Sequence, residues 1–260
     1  MGERLKVISL GLGTQSTTVY LLSSVGEIER ADHAVFADPG AEHPKTYEML
    51  EWLVAWKFFN KGIPIHVEKK SLYDDLMNRQ NSTGQRFASI PAFSDNGGMI
   101  RRQCTKEYKI DSVIKKIREL HGLKPRQRMP MTESWIGIST DEASRMKDSI
   151  LPRIINRYPL VELGWNRSDC RHWLKDNNFP LPVKSSCIFC PYQADSRWKE
   201  LQKSEVWEKA VGVDRAIRNS SKRGRKEPIY LHRSRMPIEN IEFGLQEDMF
   251  DDECEGYCGL

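Results

Sequence analysis

Leu5-Lys6-Val7-Ile8-Ser9-Leu10-Gly11-Leu12-Gly13-Thr14-Gln15-Ser16-Thr17 is the stretch on which the reading of this chain turns. An apolar run empties into a loop of two glycines and four hydroxyl or amide side chains, and Thr18–Ser23 continues with helical character. A buried strand followed by such a loop leaves backbone N–H groups and the positive end of a helix to hold a phosphate or sulfate. The next apolar run, Ala34-Val35-Phe36-Ala37, reads as a parallel neighbour. Its C-terminal end brings Asp38 and Gly40 beside the same loop, where open α/β sheets bind ligands. The loop has neither the Gly-Lys-Ser/Thr ending of a Walker loop nor the third glycine of the dinucleotide fingerprint. An ordinary strand-to-helix turn is the alternative for this segment taken alone.

With 260 residues, 39% hydrophobic and 29% charged, the chain can bury the core of one large domain, or of one domain with an appendage. No apolar stretch reaches the roughly 18 residues of a membrane span. Met1-Gly2-Glu3-Arg4-Leu5 leads straight into a strand instead of a signal peptide, so a cytoplasmic location with no membrane partner is expected. A net charge of +4 is too small to identify a nucleic-acid binder. The cluster Arg218, Lys222, Arg223, Arg225 and Lys226 reads as a solvated loop, with a phosphate-tracking segment as the alternative. Six cysteines in a reducing compartment point to metal binding or redox chemistry, not to structural disulfides.

The rest of the chain alternates. A helix is expected from Pro44 through Phe58, a strand at Ile63–Val67, an amphipathic helix at Ile110–Leu120 and a strand at Ser134–Ile138. A further strand is expected at Pro159–Leu163, a helix capped by Ser168 and running to Asn177, and another at Asp195–Gln202. Residues 78–98 carry no period and read as a long loop, and 247–255 is an acidic stretch before a cysteine-bearing tail. The rhythm is that of an α/β fold with a parallel, Rossmann-like sheet. It divides into a nucleotide-binding domain over 1–165 and a cysteine-bearing helical extension over 166–260. His43, His66, His121, His172 and His232 have no metal-ligand spacing and read as surface or satisfied histidines.

Taken in order, these segments resemble the phosphoadenosine phosphosulfate (PAPS) reductase family, whose fold is the adenine-nucleotide α-hydrolase-like, or PP-loop, fold. The resemblance rests on Ser9–Ser16, on Phe36-Ala37-Asp38-Pro39-Gly40 followed by Pro44–Tyr47, on Cys104-x4-Lys109, on Gly137 with Arg145, and on Tyr158–Leu174. The tail Glu253-Cys254-Glu255-Gly256-Tyr257-Cys258-Gly259-Leu260 is similar to the family's Glu-Cys-Gly-Leu terminus. The resemblance implies an adenine nucleotide, as sulfonucleotide or ATP, on Ser9, Gly11, Gly13, Thr14, Gln15, Ser16, Thr17, Asp38, Gly40 and Gly137.

Two departures bear on mechanism. Gln15 stands where ATP-cleaving PP-loop enzymes carry an aspartate, and a neutral amide is a poor ligand for the magnesium of a triphosphate, which favours a preactivated sulfonucleotide. Gln15 as a simple helix cap is the alternative. Gln103-Cys104 replaces the Cys-Cys pair of the iron–sulfur members, yet Cys187-Ile188-Phe189-Cys190-Pro191 supplies their later Cys-x-x-Cys. A [4Fe-4S] cluster on Cys104, Cys187 and Cys190 is therefore expected, with zinc as the rival. Cys170 is the candidate fourth ligand, or else a core residue. Without a fourth cysteine one iron would be open to sulfide, as in tRNA-thiolating relatives of the fold.

In the resembled reductases a tail cysteine attacks the sulfonate sulfur, and thioredoxin or a similar dithiol then releases sulfite. Here Cys258 is the expected nucleophile and Cys254 the resolving thiol. Lys109 and Arg145 are expected to activate the thiol, because the acidic tail itself would raise its pKa. Arg233 and Arg235 are expected to clamp a phosphosulfate. A sulfur transferase acting on nucleic acid and a non-catalytic nucleotide-binding protein are the competing functions, and a homodimer is compatible with either.

Overall fold

The computed structural model describes residues 4–78, 90–218 and 227–244. Its elements in chain order are β1 (Leu5–Ser9), α1 (Thr14–Val25), β2 (His33–Asp38), α2 (Pro44–Asn60), β3 (Ile65–Lys69), α3 (Leu72–Asn78) and β4 (Phe93–Ser94). A π-helical turn, Thr105–Ile110, runs into α4 (Asp111–Leu120), followed by β5 (Thr132–Ile136), a 3-10 segment (Thr140–Arg145) and β6 (Ile154–Arg157). Then come α5 (Pro159–Glu162), α6 (Arg167–Asp176), α7 (Asp195–Gln202), α8 (Trp207–Arg218), β7 (Ile229–Tyr230) and a last 3-10 turn, Ile238–Asn240.

Five strands form a sheet in the order β3-β2-β1-β5-β6, and every pairing in it is parallel. Ile8 is level with Ala34 on one side and Trp135 on the other. Successive side chains alternate between faces. Ile8, Ala34, Phe36 and Trp135 therefore pack with Val19 and Leu22 of α1, Leu53 of α2 and Leu174 of α6, while Val7, Val35 and Ala37 meet Val113 and Ile117 of α4. Both faces are covered, which is why these strands read as unbroken apolar runs. The strand order reverses between β1 and β5, and this switch point is where such sheets open a crevice.

A third core joins Leu72 and Leu76 of α3, Tyr108, Phe189, Leu201 of α7 and Val211 of α8. It draws on residues from both sides of 165, while Cys170 and Leu174 pack with the sheet, so packing does not divide the chain at 165.

Three local expectations are corrected. Pro159–Glu162 is a helix with Pro159 in its first turn, where a missing N–H leaves no hydrogen bond unmade, and the edge strand is β6 instead. The cap of α6 is Asn166, not Ser168: the Asn166 side chain accepts from Asp169 N at 3.0 Å and the Asp169 carboxylate accepts from Asn166 N at 2.8 Å. Within 78–98, Phe93–Ser94 forms a strand antiparallel to Ile229–Tyr230, a long-range pairing that no local pattern announces. The basic residues 222–226 and the acidic stretch 247–255 lie outside the described residues. Among the described residues no helix is long and apolar enough to cross a membrane.

Candidate nucleotide cradle and cysteine cavity

The loop after β1 turns through Leu12, which adopts a left-handed φ of 60° with its side chain fully buried. Ser16 Oγ accepts from Gly11 N at 3.1 Å and reaches Gly13 O at 3.4 Å, locking the loop onto the first turn of α1. That helix starts at Gly13 with no side-chain cap and no acidic residue in its first turn, so its positive end is not neutralised from within. Ser9 and Gly11, with Val35, Phe36, Ala37 and Lys109, line a cleft. At Gly13, whose φ of −85° suits any residue, an added Cβ would meet nothing within 4 Å. Space is kept open there.

Gly137 is the opposite case. A Cβ on it would lie 2.5 Å from Ser16 N and 2.6 Å from Ser16 Cα, so the backbone leaving β5 passes directly against the first turn of α1. Close approach at the switch point, a packing demand, accounts for this glycine. Gln15 is buried and donates through Nε2 to Glu142 Oε2 at 3.1 Å and Ser139 Oγ at 3.4 Å. Glu142 in turn pairs with Arg145 at 2.6 Å. Gln15 thus ties α1 to the 3-10 segment, and Arg145 stands on the α1 side of the site through Glu142. Sequence reasoning missed Glu142 and Ser139, which carry no motif. Thr17 is fully buried, its hydroxyl without a hydrogen-bond partner, so its side chain faces the core and not the cleft.

At the end of β2, Asp38 Oδ1 accepts from Tyr47 OH at 2.8 Å and from Gly40 N at 2.7 Å. Burial, reinforced by the Asp38 carboxylate, raises the Tyr47 phenol above its ordinary pKa. Gly40 has a φ of 69°, and a Cβ there would sit 2.9 Å from Lys70 O, so its position also has a backbone cause. The chain that follows is fastened to the Cys-x-x-Cys turn: Ile188 N donates to Ala41 O at 2.8 Å, His43 N to Ser186 O at 3.2 Å, and Glu42 forms an antiparallel bridge with Cys187. Cys190 N closes the turn on Cys187 O at 3.0 Å. The Glu42 side chain is fully buried and is paired with Lys109 Nζ at 3.1 Å, while Ser185 Oγ donates to its other oxygen at 3.0 Å.

Cys104, Cys187 and Cys190, all half-buried, line one cavity together with Leu72, Tyr108 and Lys109. Lys109 lines this cavity and the cleft under Gly11 alike. Among the described residues no three His, Cys, Asp or Glu side chains are grouped so as to hold a metal ion. Cys170 is not with the other cysteines. It is fully buried in the α1–α6 core, where burial pushes its thiol up to about 12 and Thr18 offers a hydrogen bond, so the core reading of this residue holds and the expected fourth ligand is withdrawn. Arg233 pairs with Asp195 at 2.9 Å and Arg235 donates to Asp95 O at 3.2 Å, and neither lines the cleft or the cavity. The expected clamp is not assembled, because both guanidinium groups are engaged beside α7 and β4. Cys254 and Cys258 lie outside the described residues.

No family model matches the chain. It is 29% identical over 197 residues to ORF290, an uncharacterized nin region protein of Escherichia phage lambda, an alignment covering 67% of this chain and 62% of that protein. The chain therefore spans less than two thirds of that relative's length. Among solved structures it is similar to the phosphoadenylyl-sulfate (PAPS) reductase of Candida auris in a phosphate complex, at 14% identity and a TM-score of 0.45 over 69% of this chain and 76% of that one. It is likewise similar to the U34-tRNA thiolase NcsA of Methanococcus maripaludis with its [4Fe-4S] cluster, at 11% identity and a TM-score of 0.45 over 82% of this chain and 72% of that one.

Proposed function

We propose that this chain is a PAPS reductase-like PP-loop enzyme that holds an adenine nucleotide, sulfonated or as ATP, on Gly11–Ser16 and performs thiol- and iron–sulfur-assisted sulfur chemistry beside it. The observation that carries the reading is Lys109, which forms part of both the cleft under Gly11 and the cavity of the three cysteines. An anion on the cradle and a sulfur centre in the cavity would share the wall formed by Lys109, which Glu42 holds in place. The open space at Gly13 and the uncapped start of α1 suit the anion.

Cys104, Cys187 and Cys190 would hold the cluster. A [4Fe-4S] cluster takes its thiolates at different irons, whereas zinc draws all its ligands to about 2.3 Å from one centre. What supports a shared centre is that the three thiols line one cavity, and metal analysis distinguishes the two. When bound, the cluster would supply a redox-tunable centre and, at an iron without a cysteine, a place for sulfide. The chain's own residues do the rest: α1 attracts the anion, Glu42 holds Lys109, and Asp38 and Tyr47 fix the turn that carries Gly40. On the reductase reading, the Cys258 thiolate displaces the nucleotide from the sulfonate sulfur and becomes a thiosulfonate. Cys254 then expels sulfite by forming a disulfide with Cys258, and a thioredoxin-like dithiol reduces it.

Sulfur transfer to a nucleic acid is the second reading, and the observation that favours it is the cavity of three cysteines with Cys170 elsewhere. The deciding experiment is anaerobic purification with iron and sulfide analysis, followed by turnover with adenosine phosphosulfates and with ATP. Iron, sulfide and sulfite release support the reductase. Pyrophosphate release from ATP without sulfite moves the assignment to the transferase. Nucleotide binding with no turnover makes the chain a binding protein, and zinc in place of iron removes the cluster.

A further inference from the structure

Asp195 opens α7, and His232, Arg233 and Ser234 follow β7, so two segments far apart in sequence meet here. His232 is buried, at 5% exposure, whereas Ser234 lies at the surface. Ser234 N donates to His232 Nδ1 at 3.1 Å, which makes that nitrogen the unprotonated one. Ser234 Oγ is 2.8 Å from the same Nδ1 and donates its proton to it, while the other ring nitrogen, Nε2, donates to Asp195 Oδ1 at 3.1 Å. A hydroxyl on the lone pair of an imidazole, whose other nitrogen is held by a carboxylate, is the arrangement that activates a serine.

The loop that carries these groups is pinned. The buried Asp214 carboxylate of α8 accepts from Leu231 N at 3.1 Å and from Ile238 N at 3.3 Å, one oxygen at each end of the loop. Arg235 N donates to His232 O at 3.0 Å and closes the turn between them. The imidazole packs edge-on against Phe243, which stacks on Trp198 of α7. Arg233 and Arg235, both exposed, flank Ser234 in sequence, and their bonds to Asp195 at 2.9 Å and to Asp95 O at 3.2 Å hold them at this face. A guanidinium has five donors, so each can also meet an anion. We infer that Ser234 is the nucleophile of an acyl-transfer site for small anionic esters, with His232 as its base and Asp195 as the residue that positions the base. Ser234 Oγ bonds to the ester carbonyl carbon as its proton passes to His232 Nδ1. The bond from that carbon to the leaving alcohol breaks, and the alcohol takes the proton. Water, deprotonated by the same Nδ1, then hydrolyses the acyl-serine, releasing the acid and restoring the hydroxyl.

Labelling of the full chain with a fluorophosphonate, read by mass spectrometry on the peptide that holds Ser234, tests the nucleophile. Hydrolysis of 4-nitrophenyl acetate and of the anionic mono-4-nitrophenyl succinate tests the substrate class. Ser234 should be labelled in the folded chain, and Asp195→Asn should slow that labelling by about 100-fold or more. Ser234→Ala should remove label and hydrolysis with unchanged thermal unfolding, since its side chain is exposed. The succinate ester should turn over about tenfold faster than the acetate. An unlabelled Ser234 in the wild type overturns the inference, as does labelling at the same rate in Asp195→Asn or in the urea-unfolded chain. An acetate ester hydrolysed as fast as the succinate overturns the anionic class. None of these readouts uses nucleotide or cluster, so the result is independent of the proposed function.

Discussion

The nucleotide cradle and the cysteine cavity share Lys109, yet they are built in opposite ways. The cradle is one continuous strand–loop–helix, Leu5 to Val25, against whose first helical turn the segment Gly137–Glu142 packs. Its shape follows from a locally hydrogen-bonded turn at the centre of a five-stranded sheet. The cavity gathers Pro39, Leu72, Pro91, Cys104, Cys187 and Cys190 from segments far apart in sequence. A π-helical turn, an isolated bridge and a tight turn hold those segments, and no regular sheet does. A site of the first kind is formed before its ligand arrives. One of the second kind depends on distant packing, and a bound metal centre would add to its stability by linking the segments.

The sharpest way to break the comparison is Gly137→Val, which drives a side chain into the backbone of Ser16. Overpacking of this sort costs roughly 1–3 kcal/mol or more, so a lowered urea midpoint and lost nucleotide binding are expected together. Unchanged stability would show that the switch point is not closed as described. Gly13→Val is the complementary change: its Cβ meets nothing, so unfolding should stay as in the wild type while affinity for ATP and adenosine phosphosulfate falls by about 100-fold or more. Calorimetric affinity that survives Gly13→Val would place the nucleotide elsewhere.

On the cavity side, two cysteines are expected to behave differently. Cys187→Ser should abolish an absorbance near about 400 nm in anaerobic protein. Cys170→Ser should leave that absorbance intact and cost about 1–2 kcal/mol, because a hydroxyl replaces a thiol in a fully buried apolar site. Loss of iron from the Cys170 variant would restore it as a ligand.

The smallest effect is with pH. His43, in the segment fastened to the cysteine turn, has its pKa lowered by burial and by the nearby Arg197. A depressed pKa means that the unfolded chain takes up protons first as pH falls. The His43 contribution to stability is therefore complete above the ordinary histidine range, near about 6.5, and is lost as pH falls through the folded value. His66 and His121 are lowered by burial too and act in the same direction. Urea midpoints should fall between about pH 7.5 and about pH 5.5, and His43→Gln should flatten part of that slope. An identical slope in the variant would remove His43 from the account.

Legibility in the sequence followed the same division. The strands β1 and β2, the helix after Pro44 and the amphipathic α4 were readable because each carries its own periodicity or punctuation. Pro159 misled, since an apolar run of five residues suits a strand or a helix equally, and only the backbone bonds from Glu162 N to Tyr158 O and from Leu163 N to Pro159 O show the helix. Asn166 outcompeted Ser168 as the cap because its reciprocal partner Asp169 lies three residues on. Arg233 and Arg235 looked like an anion clamp as a cluster of charge, but Asp195 and the Asp95 carbonyl had prior claim on them in space.

Composition, apolar runs and local punctuation by themselves determined that this protein is an α/β chain with a parallel sheet, and that a glycine loop opens its first helix. They could do so because strand burial and helix starts are short-range properties of the backbone. Tertiary structure alone decided that Cys170 stands apart from Cys104, Cys187 and Cys190, that Glu42 holds Lys109, and that Gly137 must lack a side chain. Each of these is a contact between segments separated by many residues, set by how helices and loops pack on the sheet, and no local pattern in the chain encodes which distant side chain will be there to meet it.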